Sequence, residues 1–268
     1  MVTTSYGSIP DCELIVPVFP SVPTHKLKTS NFDSDSTPTR LTPKLAYFIG
    51  FFCGDGGLKD IQKTFNKTKR FEYKIIISDE FEIQIKIIQK LFLDLFGIKP
   101  PIRYERIAKG ERLYYLNPTC KRVYAFLTNV FDFPPGPKAG IVKIPKQVLD
   151  STSLLQKWFA RGVFDADGDT RAVEKGFTSQ SRVKLRMKSP AFIRGMKGLL
   201  EEVFGVSVNG PYQDKEGNSS YIQVERFGDL RKLNKQLFFI HPVKRWRLEK
   251  SAQNLISSHK AQCLKQFT

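Results

Sequence analysis

Two stretches of this chain repeat one another, and the repeat limits the folds open to it. LAYFIGFFCGDGG (Leu45–Gly57) and QKWFARGVFDADGD (Gln156–Asp169) align with Asp55 on Asp167, Gly50 on Gly162, Gly54 on Ala166 and Gly56 on Gly168. Later landmarks keep step. FGIK starts at Phe96, 41 residues after Asp55, and FGVS starts at Phe204, 37 after Asp167. Tyr114 and Tyr221 then follow those phenylalanines by 18 and 17 residues. Landmarks in the same order at nearly the same spacing predict two divergent copies of a single unit.

Each copy reads as an apolar motif helix, two charged strands, a helix, two further strands and a closing helix. In the first, Ile83, Ile87, Leu91 and Leu95 form a helical stripe that Gly97 ends. In the second, RVKLRMK alternates, with Val183, Leu185 and Met187 on one face and Arg182, Lys184, Arg186 and Lys188 on the other. Ser189 and Pro190 then supply an N-cap and a first helical residue. The copies occupy 41–130 and 151–243, joined by a Pro/Gly-rich linker at 131–150. Residues 1–40, with five prolines, read as an extended N-terminal extension, and 244–268 as a basic C-terminal tail.

Charge narrows the partners. The chain holds 43 Lys and Arg against 26 Asp and Glu, a net +17, which favours a polyanion such as nucleic acid or an anionic membrane. No apolar run approaches the roughly 20 residues of a spanning helix, and no signal peptide opens the chain, so no membrane partner is expected. Cys12, Cys53, Cys120 and Cys263 form no C-x-x-C pair, which predicts reduced intracellular thiols rather than a zinc site or disulfides.

Against this basic background GVFDADGD (Gly162–Asp169) gathers three carboxylates. Gly50 and Gly54, like Gly162 and Ala166, are small residues four apart, which lets two helices approach backbone to backbone. Side-by-side packing of the motif helices brings their C-termini together, and with them Asp55 and Asp167. Helix C-termini are partially negative, so two carboxylates there repel and call for a cation. Hard oxygen ligands point to Mg²⁺ or Mn²⁺. A calcium loop starting at Asp165 needs glycine and glutamate where Thr170 and Gly176 stand.

At these residues the chain resembles the LAGLIDADG homing endonucleases, in their single-chain two-motif form and most of all the archaeal intron-encoded members. ARGVFDADG (Ala160–Gly168) and FIGFFCGDG (Phe48–Gly56) carry the resemblance, which spans roughly 43–240. It implies an α+β fold of two pseudo-symmetric αββαββα halves packed through their motif helices. Two curved antiparallel sheets would form a DNA-binding saddle. Asp55 and Asp167 would be the catalytic metal-binding acids, with Gly54 and Ala166 as carbonyl ligands and Lys188 as a catalytic lysine. The implied cofactor is Mg²⁺, with Mn²⁺ as substitute and Ca²⁺ binding without supporting cleavage. The implied activity is site-specific double-strand cleavage at a long asymmetric target, leaving short 3′ overhangs. The implied form is a monomer that needs no protein partner, meeting double-stranded DNA in the cytoplasm of an archaeon or in an organelle. A non-cleaving regulator or an RNA maturase on the same fold is the alternative.

The strand faces point to DNA on their own account. Lys59, Lys63, Lys67, Lys69, Arg70 and Lys74 crowd one hairpin, and Arg103, Arg106 and Arg112 the next. Arg171, Arg182, Lys184, Arg186, Gln223 and Arg226 are their counterparts in the second copy. Such residues neutralise phosphates, and those that reach base edges read sequence. The family pattern places a lysine near the start of the helix after the second strand. Sixteen residues before Phe204 stands Lys188, but sixteen before Phe96 stands Glu80. That reversal predicts unequal cutting of the two strands; the alternative is that Lys74 substitutes for the missing lysine.

Overall fold

The computed structural model describes residues 19–20, 24–27, 37–65, 68–107, 110–171, 181–236 and 238–252. Lys67, Cys12 and Cys263 lie outside the described residues. A short ladder, β1 (His25–Lys26) with β2 (Arg40–Leu41), precedes the first half. That half runs α1 (Pro43–Asp55), β3 (Gly56–Phe65), β4 (Thr68–Asp79), α2 (Glu82–Phe96), β5 (Arg103–Arg106), β6 (Arg112–Leu116) and α3 (Lys121–Phe131). After the short α4 (Lys146–Leu149), the second half runs α5 (Ser153–Asp167), β7 (Gly168–Arg171), β8 (Arg182–Met187), α6 (Pro190–Phe204), β9 (Asn209–Gln213), β10 (Ser220–Val224) and α7 (Phe227–Lys235). Residues 242–252 are helical. Both halves are αββαββα, and their antiparallel sheets share one topology, β3-β4-β6-β5 and β7-β8-β10-β9.

Local chemistry sets the helix ends. The Thr42 side chain accepts the Leu45 N–H and Pro43 opens α1, while Ser189 accepts the Phe192 N–H and Pro190 opens α6. The FG landmarks are left-handed caps. Gly97 at φ 69° ends α2 and Gly205 at φ 63° ends α6, a conformation that costs a residue without a β-carbon least.

The halves meet at α1 and α5 with reciprocal backbone contact. A Cβ on Gly50 would lie 2.0 Å from the Phe159 carbonyl oxygen, and one on Gly162 would lie 2.0 Å from that of Tyr47. Each glycine thus faces the repeat-equivalent residue of the other half, as a pseudo-twofold contact requires. Phenylalanines pack beneath both helices: Phe133 against Phe52 at 4.9 Å, and Phe238 against Phe164 at 4.8 Å.

Register corrects one landmark. Ser78 pairs with Tyr115 where Arg186 pairs with Tyr221, so Tyr115 rather than Tyr114 is the counterpart of Tyr221. A one-residue slip moves a side chain to the other face of its sheet. Parts of the extension and of the linker expected from the sequence are held down. Phe19 packs on Trp158 at 4.8 Å, and in the 131–150 stretch Val142 and Ile144 are buried while Gly136 N–H donates to the Leu58 carbonyl at 2.8 Å. Among the described residues no helix is long and apolar enough to cross a membrane.

Candidate active site

The α1–α5 contact brings the motif C-termini together. A Cβ on Gly54 would meet the Ala166 Cβ at 2.6 Å and Asp167 Oδ2 at 2.8 Å. Asp55 and Asp167 therefore share one region, and each feels it. Burial first, then the charges of Asp167 and Asp79, push the Asp55 carboxyl up to about 8 against the opposing pull of Lys244 and Lys138. Burial likewise raises Asp167, and Lys138 and Lys244 restrain the rise. Two buried carboxyls, both raised and facing one another across the helix ends, fit a divalent cation, which would relieve their burial and repulsion. Among the described residues no group of three or more His, Cys, Asp or Glu forms such a site, so carbonyl oxygens would have to complete the shell.

Those carbonyls are in use. Lys138 Nζ donates to the Gly54 carbonyl at 2.7 Å and to that of Cys53. Lys244 Nζ donates to the carbonyls of Asp165 at 2.6 Å, Ala166 at 2.7 Å and Phe164 at 3.2 Å. Each ammonium thus caps the negative end of one motif helix. Neither lysine was among the site residues expected from the sequence, where they fell in the linker and the tail. A signal was present: FPPGPK (Phe133–Lys138) and FIHPVK (Phe239–Lys244) both place lysine five residues after phenylalanine, behind a proline.

Two clefts flank the helix ends. One, of about 280 Å³, is lined by Asp55, Asp79, Glu80, Ala166, His241 and Lys244. The other, of about 310 Å³, is lined by Asp167, Gly54, Cys53, Lys138, Arg186 and Lys188. Each cleft combines the aspartate of one half with the lysine that follows the other half. Lys188 stands exposed at the lip of the Asp167 cleft. In the Asp55 cleft, burial lifts Asp79 to about 6 and depresses the His241 imidazole to about 3, and among the described residues neither nitrogen of that buried ring has a hydrogen-bond partner.

The three aspartates of the second motif part company. Asp167 enters its cleft. Asp165 is fully buried, accepting from Tyr47 Oη at 2.7 Å and from the Ile240 N–H at 3.1 Å, while Gln84 donates to Tyr47 Oη at 2.9 Å. Asp169 lies in β7 opposite Lys184 of β8.

The sequence-expected DNA contacts divide by face. Lys59, Lys63, Arg70 and Lys74 share the face opposite the buried Leu58, Ile75 and Ile77, with Glu72 between them 2.5 Å from Lys63. Arg103 joins that face through its pairing with Tyr115. Lys69 has the parity of Ile75, and Arg106 and Arg112 pair on the parity of the buried Leu116, so these three lie on the other face. In the second sheet Arg171, Arg182, Lys184, Arg186 and Gln223 share the face opposite Val183 and Leu185, and Lys184 Nζ sits 3.7 Å over the Tyr221 ring. Arg226 is at the N-cap of α7, past the sheet.

Comparison with known proteins bears on the second half most directly, where residues 155–237 match the family model described as a LAGLIDADG-like domain. The chain is similar to the homing endonuclease I-DmoI of Desulfurococcus mucosus, 26% identical over 128 residues, covering 46% of this chain and 56% of that protein. It is also similar to a probable translation initiation factor IF-2 of Methanocaldococcus jannaschii, 27% identical over 158 residues, covering 58% of this chain and 11% of that protein. The chain therefore spans little more than half the length of the first of these relatives and a small part of the second. Among solved structures, I-GzeII in complex with a DNA target has the same fold at a TM-score of 0.52 and 11% identity, over 82% of this chain and 92% of that one. A variant of I-DmoI in complex with its target DNA, in the presence of Mn, matches at 0.51 and 22%, over 73% and 93%.

Proposed function

We propose that this LAGLIDADG-like protein is a site-specific DNA endonuclease that cuts both strands of an asymmetric target. The observation that carries the reading is the meeting of Asp55 and Asp167 at the joined ends of α1 and α5, between two sheets whose outer faces bear rows of cations. The relatives support it: I-DmoI is a homing endonuclease, and solved structures of the same fold hold target DNA.

The outer-face cations seat the duplex by its phosphates, and Gln223 with selected arginines reads base edges. Lys59, Lys63, Arg70, Lys74 and Arg103 serve one half-site, and Arg171, Arg182, Lys184 and Arg186 the other. Asp55 and Asp167 would hold Mg²⁺, or Mn²⁺ in its place, and the Gly54 and Ala166 carbonyls would contribute through the lone pair that the Lys138 and Lys244 ammoniums leave free. Bound there, the cation would offset the charge that builds on phosphate and leaving oxygen during hydrolysis. Lys138 and Lys244 hold both carbonyl clusters in place and present an ammonium to the opposite cleft. Lys188 adds a cation at the lip of the Asp167 cleft, aimed at the same developing charge. One chain with two unlike halves needs no second copy to engage both strands.

The test is cleavage selection from a plasmid library of random inserts, followed by assay of the recovered site in Mg²⁺, in EDTA and with the Asp167→Asn protein. A Mg²⁺-dependent double-strand break with 3′ overhangs, lost in the variant, is expected. Salt-sensitive binding without a cut in Mg²⁺ or Mn²⁺ would replace the nuclease by a regulator or maturase.

A further inference from the structure

The two clefts are nearly equal in size, about 280 and 310 Å³, yet opposite in charge. The difference comes from matching wall positions. Ser78, Asp79 and Glu80 leave β4 beside Asp55, whereas Arg186, Met187 and Lys188 leave β8 beside Asp167. Their equivalence is fixed by register, since Ser78 pairs with Tyr115 as Arg186 pairs with Tyr221. The Asp55 cleft therefore sets the carboxyl groups of Asp55, Asp79 and Glu80 against the ammonium of Lys244. The Asp167 cleft sets one carboxylate against Lys138, Arg186 and Lys188. The His241 ring lies in the wall of the Asp55 cleft with Nε2 4.0 Å from Asp79 Oδ1, and its burial disfavours the charged form, so it adds no cation there.

Phosphodiester hydrolysis adds negative charge to the phosphate and to the departing 3′ oxygen. Cations fixed at that point lower the barrier and fixed carboxylates raise it, most strongly where water is excluded. Roughly equal room with inverted charge means that the clefts differ in rate rather than in access.

We propose that the clefts act in a fixed order: the Asp167 cleft cuts its strand first, the Asp55 cleft follows slowly, and Glu80 is the principal residue that sets the order. The product of the fast step is a duplex nicked in one defined strand. This rests on the nuclease reading and adds to it a strand bias and the residues that create it.

Glu80 and Lys188 are both exposed, so exchanging their charges leaves the core untouched. The experiment follows single-turnover cleavage of a duplex carrying the selected site, with the two strands labelled differently, in Mg²⁺. For the unaltered protein one strand is cut at least about tenfold faster than the other, and nicked duplex accumulates. Glu80→Lys accelerates the slow strand alone and brings the ratio within about threefold, whereas Lys188→Glu slows the fast strand alone. Glu80→Gln gives an intermediate ratio, and urea unfolding verifies that all three variants are as stable as the parent. A purely structural role for Glu80 would change both strands together. Equal rates in the unaltered protein overturn the order while leaving the nuclease intact. A Glu80→Lys ratio equal to the parent's, or faster cutting of the already fast strand, overturns the role of Glu80. Binding without cutting of either strand overturns both this proposal and the nuclease.

Discussion

Replacing Gly50 by alanine should be among the most damaging single-methyl additions this protein can receive. The new Cβ would lie 2.0 Å from the Phe159 carbonyl oxygen, 2.9 Å from its carbon and 3.0 Å from the Val163 nitrogen. All three are backbone atoms of α5, so no side chain can swing aside. To restore an ordinary contact the helices must part locally by more than about 1 Å, and a gap of that size forfeits a quarter to a half of each dispersion contact along it. Tyr47, Phe48, Phe51 and Phe159 are all fully or almost fully buried at this interface. Overpacking alone costs about 1–3 kcal/mol, and a rigid obstruction puts Gly50→Ala at the upper end, about 3 kcal/mol. For a chain of this size that is a fall of roughly 6–12 °C in Tm. Urea unfolding followed by circular dichroism measures it, with Gly57→Ala as control because no atom of the described residues lies within 4 Å of its added Cβ. Gly162→Ala, facing Tyr47 in the reciprocal contact, should cost as much. The double variant should cost less than the sum, since one separation relieves both collisions. A Gly50→Ala loss below about 1 kcal/mol, or one equal to that of Gly57→Ala, would refute backbone contact at this crossing.

Three other outcomes follow from the interior and the helix ends. Tyr47→Phe removes the hydroxyl that Asp165 accepts from and that Gln84 donates to, so it should cost about 1–3 kcal/mol in urea unfolding; a loss near zero would mean that Asp165 finds another donor. Lys138→Met leaves the Gly54 carbonyl without its ammonium and should slow cutting by the Asp167 cleft at least about 100-fold while duplex affinity changes little; unchanged strand-resolved rates would count against its placement. In metal-free buffer the thermal midpoint should fall as pH rises from about 6.5 to 8. Asp55 at about 8 and Asp165 at about 7 retain protons in the folded chain that the unfolded chain has already released, so their contribution is lost as pH climbs through those values. His241, at about 3 when folded, works in the opposite sense, but only below the ordinary histidine value of about 6.5. Calorimetry that finds a flat or rising midpoint over this window contradicts the assignment, and Asp55→Asn should flatten the slope.

The fold was legible where periodicity and repetition act over many residues. The alternation in RVKLRMK has the period of β8, and the FG landmarks mark two left-handed helix caps, because both signals arise from local backbone geometry. Cross-strand register was less legible. Counting from Phe96 selects Tyr114, but the ladder places Tyr115 opposite Ser78, and landmark spacing tolerates a one-residue shift that strand pairing does not. The same parity sets Arg106 and Arg112 on the side of the buried Leu116, although their sequence neighbour Arg103 faces outward. Net charge could identify a basic hairpin without telling which side of it faces out.

The site divided along the same line. Asp55 and Asp167 belong to contiguous motifs in which small residues four apart already demand a close helix pair, so their meeting followed from local pattern. Lys138 and Lys244 are supplied by tertiary path, from stretches that read as a linker and a tail. Their need, however, was implicit. Two helices that end side by side leave carbonyls without donors and crowd two carboxylates, and both faults call for cations. What the structure adds is the direction of supply: Lys138 caps α1 but faces the cleft of Asp167, and Lys244 caps α5 but faces the cleft of Asp55. A half separated from its partner would keep its aspartate and lose the stronger of the two ammonium pulls that restrain it. The crossing of lysines thus binds the two halves by charge as Gly50 and Gly162 bind them by shape, and each cleft becomes complete only when both halves are folded.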